Sequence, residues 1–257
     1  MNYKELLIER LNKICSVVRN TGSARAFLAL GSVGQETERI DKYSDLDFFV
    51  IAKPGFKMRF VEQTDWLEAS GPLGFHFLNT PDGRKVLFTD GIYAEFAVFE
   101  ERELEHQTFA EGRIVWQEDD FDAALLSPKV RTPAFRAASV EFAMGEMLTN
   151  LYVGLGRYAR GEKLSGTRFI QSYAVDMLTA SLHFIYPENN RLKDPFQNER
   201  RLEQRYPGFA EKLPLFIQGY ERCPQSALAI LTFLEEHFEV NRFIGDEIRK
   251  LADEIIR

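Results

Sequence analysis

Phe27-Leu-Ala-Leu-Gly-Ser-Val-Gly34 and Tyr43-Ser-Asp-Leu-Asp-Phe-Phe-Val-Ile51 decide how this chain is read. The first stretch is an apolar strand that runs into a Gly-Ser turn. The second is an apolar strand with two acids at its start. Residues two apart on a strand leave the same face, so Asp45 and Asp47 point one way and Leu46 and Phe48 the other. Two neighbouring carboxylates repel each other unless a cation lies between them. A hard divalent ion such as Mg²⁺ takes oxygen ligands and shares them with substrate phosphates. Gly31 lets backbone approach a ligand, and the Ser32 hydroxyl and nearby N–H groups can hold phosphate oxygens. Either motif alone is commonplace, a solvated acid pair or a plain turn. Their order is what points to a phosphate-and-metal site: strand, Gly-Ser, polar loop, then Asp-x-Asp entering a second strand.

That order resembles the nucleotidyltransferase superfamily that includes DNA polymerase β. The fuller string, Gly31-Ser32 followed by Tyr43-Ser-Asp-x-Asp-Phe48, is most similar to the small antibiotic nucleotidyltransferases that act on lincosamides and aminoglycosides. A third segment joins it. Ile92-Tyr-Ala-Glu-Phe-Ala-Val-Phe99 is apolar except for Glu95, and a lone carboxylate inside a strand is costly unless paired, metal-bound or at a surface. One reading makes Glu95 an edge-strand acid facing water. The other makes it the third carboxylate of the site, because Glu-Phe-x-x-Phe resembles the lincosamide-enzyme segment that carries the proposed base.

Composition sets the bounds. A chain of 257 residues, 45% hydrophobic and 28% charged, buries a sizeable core and holds one large or two modest domains. The net charge of −7 argues against a nucleic-acid substrate, since phosphate backbones need a basic surface, and favours a small acceptor, cationic ones included. Cys15 and Cys223 are far apart without metal-ligand spacing, and Cys15 among Leu11, Ile14 and Val18 reads as a buried reduced thiol. Met1 to Glu5 does not read as a signal peptide and no apolar run reaches membrane-spanning length, so a cytoplasmic protein with no membrane partner is expected.

Along the chain, apolar spacing predicts an amphipathic helix over residues 3–19 and a strand over 25–30. The loop of residues 35–42 carries Arg39 and Lys42, read as solvated charges. A helix is expected up to Gly71, then strands at 74–78 and 85–88 around a turn at 80–83. His76, flanked by Phe75 and Phe77, reads as structural. Residues 100–105 read as a helix start and 113–116 as a last strand, with the acids of 117–120 in a solvated turn. Strand signals then stop. Long helices are expected over 135–160, with Phe142 facing inward, and over 166–186, with Tyr173 inward. Residues 191–205 read as a charged helix with internal ion pairs, and 227–238 and 243–256 as closing helices.

The fold expected is therefore α+β, a small mixed sheet over residues 1–130 followed by an all-α domain over 131–257, with a cleft between them for nucleotide and acceptor. The resemblance implies a function as well. Asp45 and Asp47 hold Mg²⁺, with a two-metal site within reach, against a nucleoside triphosphate such as ATP. Gly31 and Ser32 bind its phosphates, and Glu95 takes the proton of an acceptor hydroxyl. The acceptor is a small molecule, an antibiotic if the role is resistance, and a homodimer is implied. Two other readings stay open: a non-catalytic nucleotide-binding protein of the same fold, or an enzyme that nucleotidylates a protein or metabolite.

Overall fold

The computed structural model describes residues 2–129, 135–189 and 192–257. The chain divides into two compact units, Met1–Thr132 and Pro133–Arg257. The expected α+β class holds, with the sheet confined to the first unit and helices filling the second.

The first unit opens with α1 (Tyr3–Asn20). Asn2 caps it: its side chain accepts from the Glu5 amide at 2.9 Å, and the Glu5 carboxylate accepts from the Asn2 amide at 3.0 Å. Leu7, Leu11, Ile14, Cys15 and Val18 are buried at helical spacing. Each such side chain contributes about 1.5–3 kcal/mol of burial, far above the few tenths set by propensity, so packing holds this helix.

Among the described residues six strands follow: β1 (Ala24–Leu30), β2 (Leu46–Ala52), β3 (Leu73–Thr80), β4 (Gly83–Phe88), β5 (Tyr93–Glu100) and β6 (Arg113–Gln117). Their order across the sheet is β3-β4-β5-β2-β1-β6. β2 and β5 run parallel and every other neighbouring pair is antiparallel, so the sheet is mixed. Two short helices, α2 (Lys57–Glu62) and α3 (Asp65–Glu68), and the β3–β4 hairpin together make the crossover between parallel β2 and β5.

One face of the sheet packs on α1, α2 and α3. Phe27, Phe48 and Phe96 stack there from neighbouring strands at 4.8 and 5.3 Å between ring centres, with Trp66 against Phe48, Phe60 and Phe96. The other face is covered over only part of its extent. Leu104, Phe109, Phe121 and Leu126 cover Ala26, Leu28, Ile51 and Phe99, with Phe49 and Ala97 beside them. The N-terminal ends of β2 and β5, on that same face, carry half-buried side chains instead.

Several expectations in this unit are corrected. Asp45 lies one residue before β2. β5 is an interior strand, so the edge-strand reading of Glu95 fails. Residues 101–106 form a 3₁₀ turn. The acids after β6 are more than a solvated turn, because Glu118 and Asp120 pair with Arg25 at 2.6 and 2.7 Å. His76 is held by Arg84 at 3.0 Å, which also donates to the Val61 carbonyl, in keeping with a structural role.

The second unit holds α4 (Val140–Ala159), α5 (Lys163–Arg168), α6 (Val175–Ser181), the single-turn α7 (Leu202–Arg205), α8 (Pro207–Ala210) and α9 (Leu213–Phe216), then α10 (Cys223–His237) and α11 (Arg242–Ile256). α4 starts later than residue 135 because Ser139 caps it, accepting from the Phe142 amide. Its buried stripe runs through Met144, Met147, Leu151 and Leu155, which leaves Phe142 54% exposed instead of inward. The helix expected over 166–186 forms as one continuous run from Lys163 to Phe184, with a π stretch at Phe169–Ala174 inside it and a 3₁₀ turn at its end. Gln171 there exchanges two hydrogen bonds with the Gly219 backbone, at 2.8 and 3.1 Å, and Tyr173 turns outward. The charged stretch folds around ion pairs, Arg205 with Glu188 and Arg200 and Arg201 with Asp194, and among its described residues the α-helix is confined to Leu202–Arg205. Arg191 of that stretch lies outside the described residues, as do the chain positions near the expected boundary at 130–131. Among the described residues, no helix is long and apolar enough to cross a membrane.

Candidate active site

Gly31, Asp47 and Glu95 meet through strand register. β1 ends at Leu30, whose partner on β2 is Asp47, and Asp47 in turn is the partner of Glu95 on β5. Neighbouring strands lie about 4.8 Å apart, so the two acids stand side by side on one face. Alternation then places Leu46, Phe48, Ala94 and Phe96 in the core and leaves Asp47 and Glu95 half-buried on the other side. Asp45, just ahead of β2, is also half-buried.

The turn after β1 is shaped by these acids. Gly31 has φ +54°, and a Cβ placed on it would sit 2.6 Å from Asp47 Oδ2. Glycine is therefore needed here for the sake of the Asp47 carboxylate as well as for the turn. Ser32 follows, 4% exposed, and its Oγ is buried with no hydrogen-bond partner. A buried hydroxyl without a partner is a rare expense in a folded chain and fits a group that binds something absent here.

The loop beyond is pinned at both ends. The Arg113 guanidinium, from β6, donates to the carbonyls of Val33 (3.0 Å) and Gly34 (3.3 Å). At the far end, Tyr3 Oη donates to the Ser44 carbonyl at 2.9 Å. Arg39 pairs with Glu36 at 2.7 Å and Lys42 lies 4.8 Å from the Tyr43 ring centre, so both loop cations are engaged locally.

Three further residues belong to this face. Lys85, the β4 partner of Glu95, places Nζ 3.2 Å from Glu95 Oε2. Asn79 Nδ2 donates to Glu95 Oε1 at 3.1 Å. The bond to Glu95 and the charges of Glu95, Tyr93 and Asp47 raise the Lys85 ammonium above its usual range. Tyr93 is raised too, first by burial, and the charges of Glu95, Asp45 and Asp47 add to this against the opposing Lys85. A concentrated negative field thus covers the ends of β2 and β5. Sequence reading missed Lys85, Asn79 and Arg113, because a cation or amide on another strand carries no motif. The available signal was the β4–β5 hairpin, whose turn at residues 89–92 sets Lys85 opposite Glu95.

The donor set fits a hard cation only in part. Among the described residues, no three or more His, Cys, Asp or Glu side chains are grouped to hold a metal ion. Glu95 is turned to Lys85 and Asn79, so a cation would have Asp45 and Asp47 as its protein ligands. That suits Mg²⁺, which is usually held by one or two carboxylates with substrate phosphates and water completing its shell.

No family model matches the sequence, and no curated protein matches it. Solved structures do. The crystal structure of an aminoglycoside 6-adenyltransferase from Bacillus subtilis matches 100% of this chain and 99% of its own, at 14% identity and a TM-score of 0.34. A spectinomycin adenyltransferase from Enterococcus faecialis, solved with ATP and spectinomycin, matches 97% of this chain and 99% of its own, at 12% identity and a TM-score of 0.34. Both are nucleotidyltransferases of the antibiotic-modifying type, the class that the sequence motifs resemble. At such low identity and TM-score the likeness bears on neither substrate nor site.

Proposed function

We propose that this chain transfers a nucleoside monophosphate from a nucleoside triphosphate to a hydroxyl of a small molecule, in the manner of the lincosamide- and aminoglycoside-modifying enzymes. The observation that carries the reading is the row Gly31, Asp47, Glu95, in which register alone aligns a phosphate turn, a metal-type acid and a candidate base.

In this reading Ser32 Oγ and the backbone after Gly31 bind phosphate oxygens, which gives the buried hydroxyl its partner. Asp45 and Asp47 hold Mg²⁺, which would neutralise phosphate charge and orient the α-phosphorus. Glu95 accepts the proton of the acceptor hydroxyl as its oxygen bonds to the α-phosphorus. The bond from the α-phosphorus to the bridging oxygen breaks, and pyrophosphate leaves with that electron pair. Lys85 and Asn79 hold one Glu95 oxygen each and so fix the carboxylate's orientation.

The same Lys85 contact favours a second reading, a nucleotide-binding protein without turnover, in which the ion pair keeps Glu95 from acting. One assay separates the two: Mg²⁺-dependent release of pyrophosphate from labelled nucleoside triphosphates, with lincosamides, aminoglycosides and cell extract as acceptors. Acceptor-dependent release supports transfer. Nucleotide binding without release from any acceptor supports the second reading.

A further inference from the structure

The row of the candidate site continues past Glu95. Lys85 is the β4 partner of Glu95, and Phe77 is the β3 partner of Lys85. One step along the strands, Tyr93 pairs with Leu87 and Leu87 with Phe75. Side chains at equal register on adjacent strands leave the same face. Phe75, Phe77 and Leu87 therefore share the face of Asp47 and Glu95. They are 57%, 45% and 39% exposed, and the two rings lie 5.8 Å apart. An apolar floor of two aromatic rings and a leucine thus abuts the charged end of the sheet.

We propose that this floor is where the acceptor lies, and that the acceptor is a hydroxylated ring compound with an apolar face. The inference rests on the nucleotidyl-transfer reading above. Its basis is order across the sheet. Gly31 and Ser32 are on the β1 side of Asp47, so a nucleotide held there approaches from that side. A hydroxyl within reach of Glu95 then belongs to a molecule extending the other way, over β4 and β3. Two strand steps separate Glu95 from Phe77, about 10 Å, which a small two-ring molecule spans. Two aromatic rings and a leucine take the C–H face of a ring, so an acceptor with an apolar face gains contacts here that one polar on both faces does not.

The test uses the full chain and the F75S/F77S double variant, with lincomycin as an amphipathic probe and kanamycin as a polycationic one. Both rings are exposed, so the core is untouched, and thermal melting checks this. The single variant F77S serves if the double one melts early. Calorimetry with ATP and Mg²⁺ reads the nucleotide side, and ring proton shifts of the wild type read contact with the probe. The expected result is saturable lincomycin binding with Phe75 and Phe77 shifts, weakened about tenfold or more in the variant, with ATP affinity unchanged. Equal lincomycin affinity in both proteins, no lincomycin binding, or kanamycin binding insensitive to the substitutions overturns the assignment. ATP affinity lost in the variant assigns the floor to the nucleotide base, and a dimer lost in the variant assigns it to a second copy; either overturns it. Wild-type chain that binds lincomycin on these rings but never ATP would sink the transfer reading and leave the floor standing.

Discussion

Asp47 on β2 and Glu95 on β5 are register partners on adjacent parallel strands. Two acids set side by side at about 4.8 Å of strand spacing cost free energy through their repulsion. Lys85 offsets part of it from the Glu95 side, at 3.2 Å, and a cation at Asp45 and Asp47 would offset more. Each partner can thus be altered separately, with different consequences.

Asp47→Asn and Asp45→Asn are each expected to lower nucleotidyl transfer by at least about a hundredfold, while the protein stays folded. Radiolabelled transfer at saturating Mg²⁺ and a thermal melt measure the two effects. Turnover near normal in either variant would remove the metal role from these acids.

Glu95→Gln keeps the size and the bond from Asn79 but cannot accept a proton. Turnover should fall by about two to four orders of magnitude while ATP and Mg²⁺ still bind. If nucleotide affinity collapsed together with metal affinity, Glu95 would be a ligand. If turnover barely changed, the Lys85 pair would be a surface contact and nothing more.

Gly31→Ala tests the turn without changing any charge. Its φ of +54° disfavours a side chain, and the new Cβ would meet Asp47 Oδ2 at 2.6 Å. The left-handed conformation alone costs about 1–2 kcal/mol. Lower stability in urea and loss of transfer are expected together, since Asp47 must move. A variant as stable and active as the parent would show that Asp47 is free to occupy another position.

How much of this was legible in the sequence depends on range. Gly31, Ser32, Asp45 and Asp47 sit on one β-hairpin-like pair of neighbouring strands, so local spacing revealed them. Glu95 stood out because a charge in an apolar run needs a reason. Whether β5 neighbours β2 is a matter of sheet order, which no local pattern encodes; Lys85 could be set opposite Glu95 through the β4–β5 hairpin alone, whereas Asn79 on β3 could not. In the helical half, Phe142 was misplaced because it lies five residues before Met147, about 140° round an α-helix and off the buried stripe. Tyr173 was misplaced because a π turn inside the next helix shifts its phase, which apolar spacing does not register.

The two thiols should be inert in the folded protein. Burial pushes Cys15 up to about 11 against the opposing charges of Arg19 and Arg113, and burial raises Cys223 as well. At pH 8 neither should react with iodoacetamide within minutes, and both should react in denaturant. Rapid labelling of native Cys15, read by mass spectrometry, would mean that α1 opens readily.

Acid stability of the helical unit turns in part on one buried ion pair. Glu188 and Arg205 form a pair at 2.7 Å with side chains only 4% and 2% exposed, and Arg136 joins at 2.8 Å. Burial alone would push the Glu188 carboxyl up, but the hydrogen bonds from Arg136 and Arg205 and the charge of Arg205 outweigh it, and the net shift is downward. A carboxyl depressed in the folded state contributes stability that is complete above its unfolded value, near 4.3, and is lost as pH falls through the folded one. Wild-type protein should therefore lose stability between about pH 5 and pH 3, partly through Glu188. Glu188→Gln removes that share of the pH dependence and leaves a buried guanidinium without its counter-charge. The expected cost at pH 7 is about 3–5 kcal/mol, shrinking as pH falls, because the wild type loses what the variant already lacks. Urea melts of both proteins across pH 3–7 measure the difference. A constant gap between the two curves over that range would mean that Glu188 keeps the same protonation in the folded and unfolded chain.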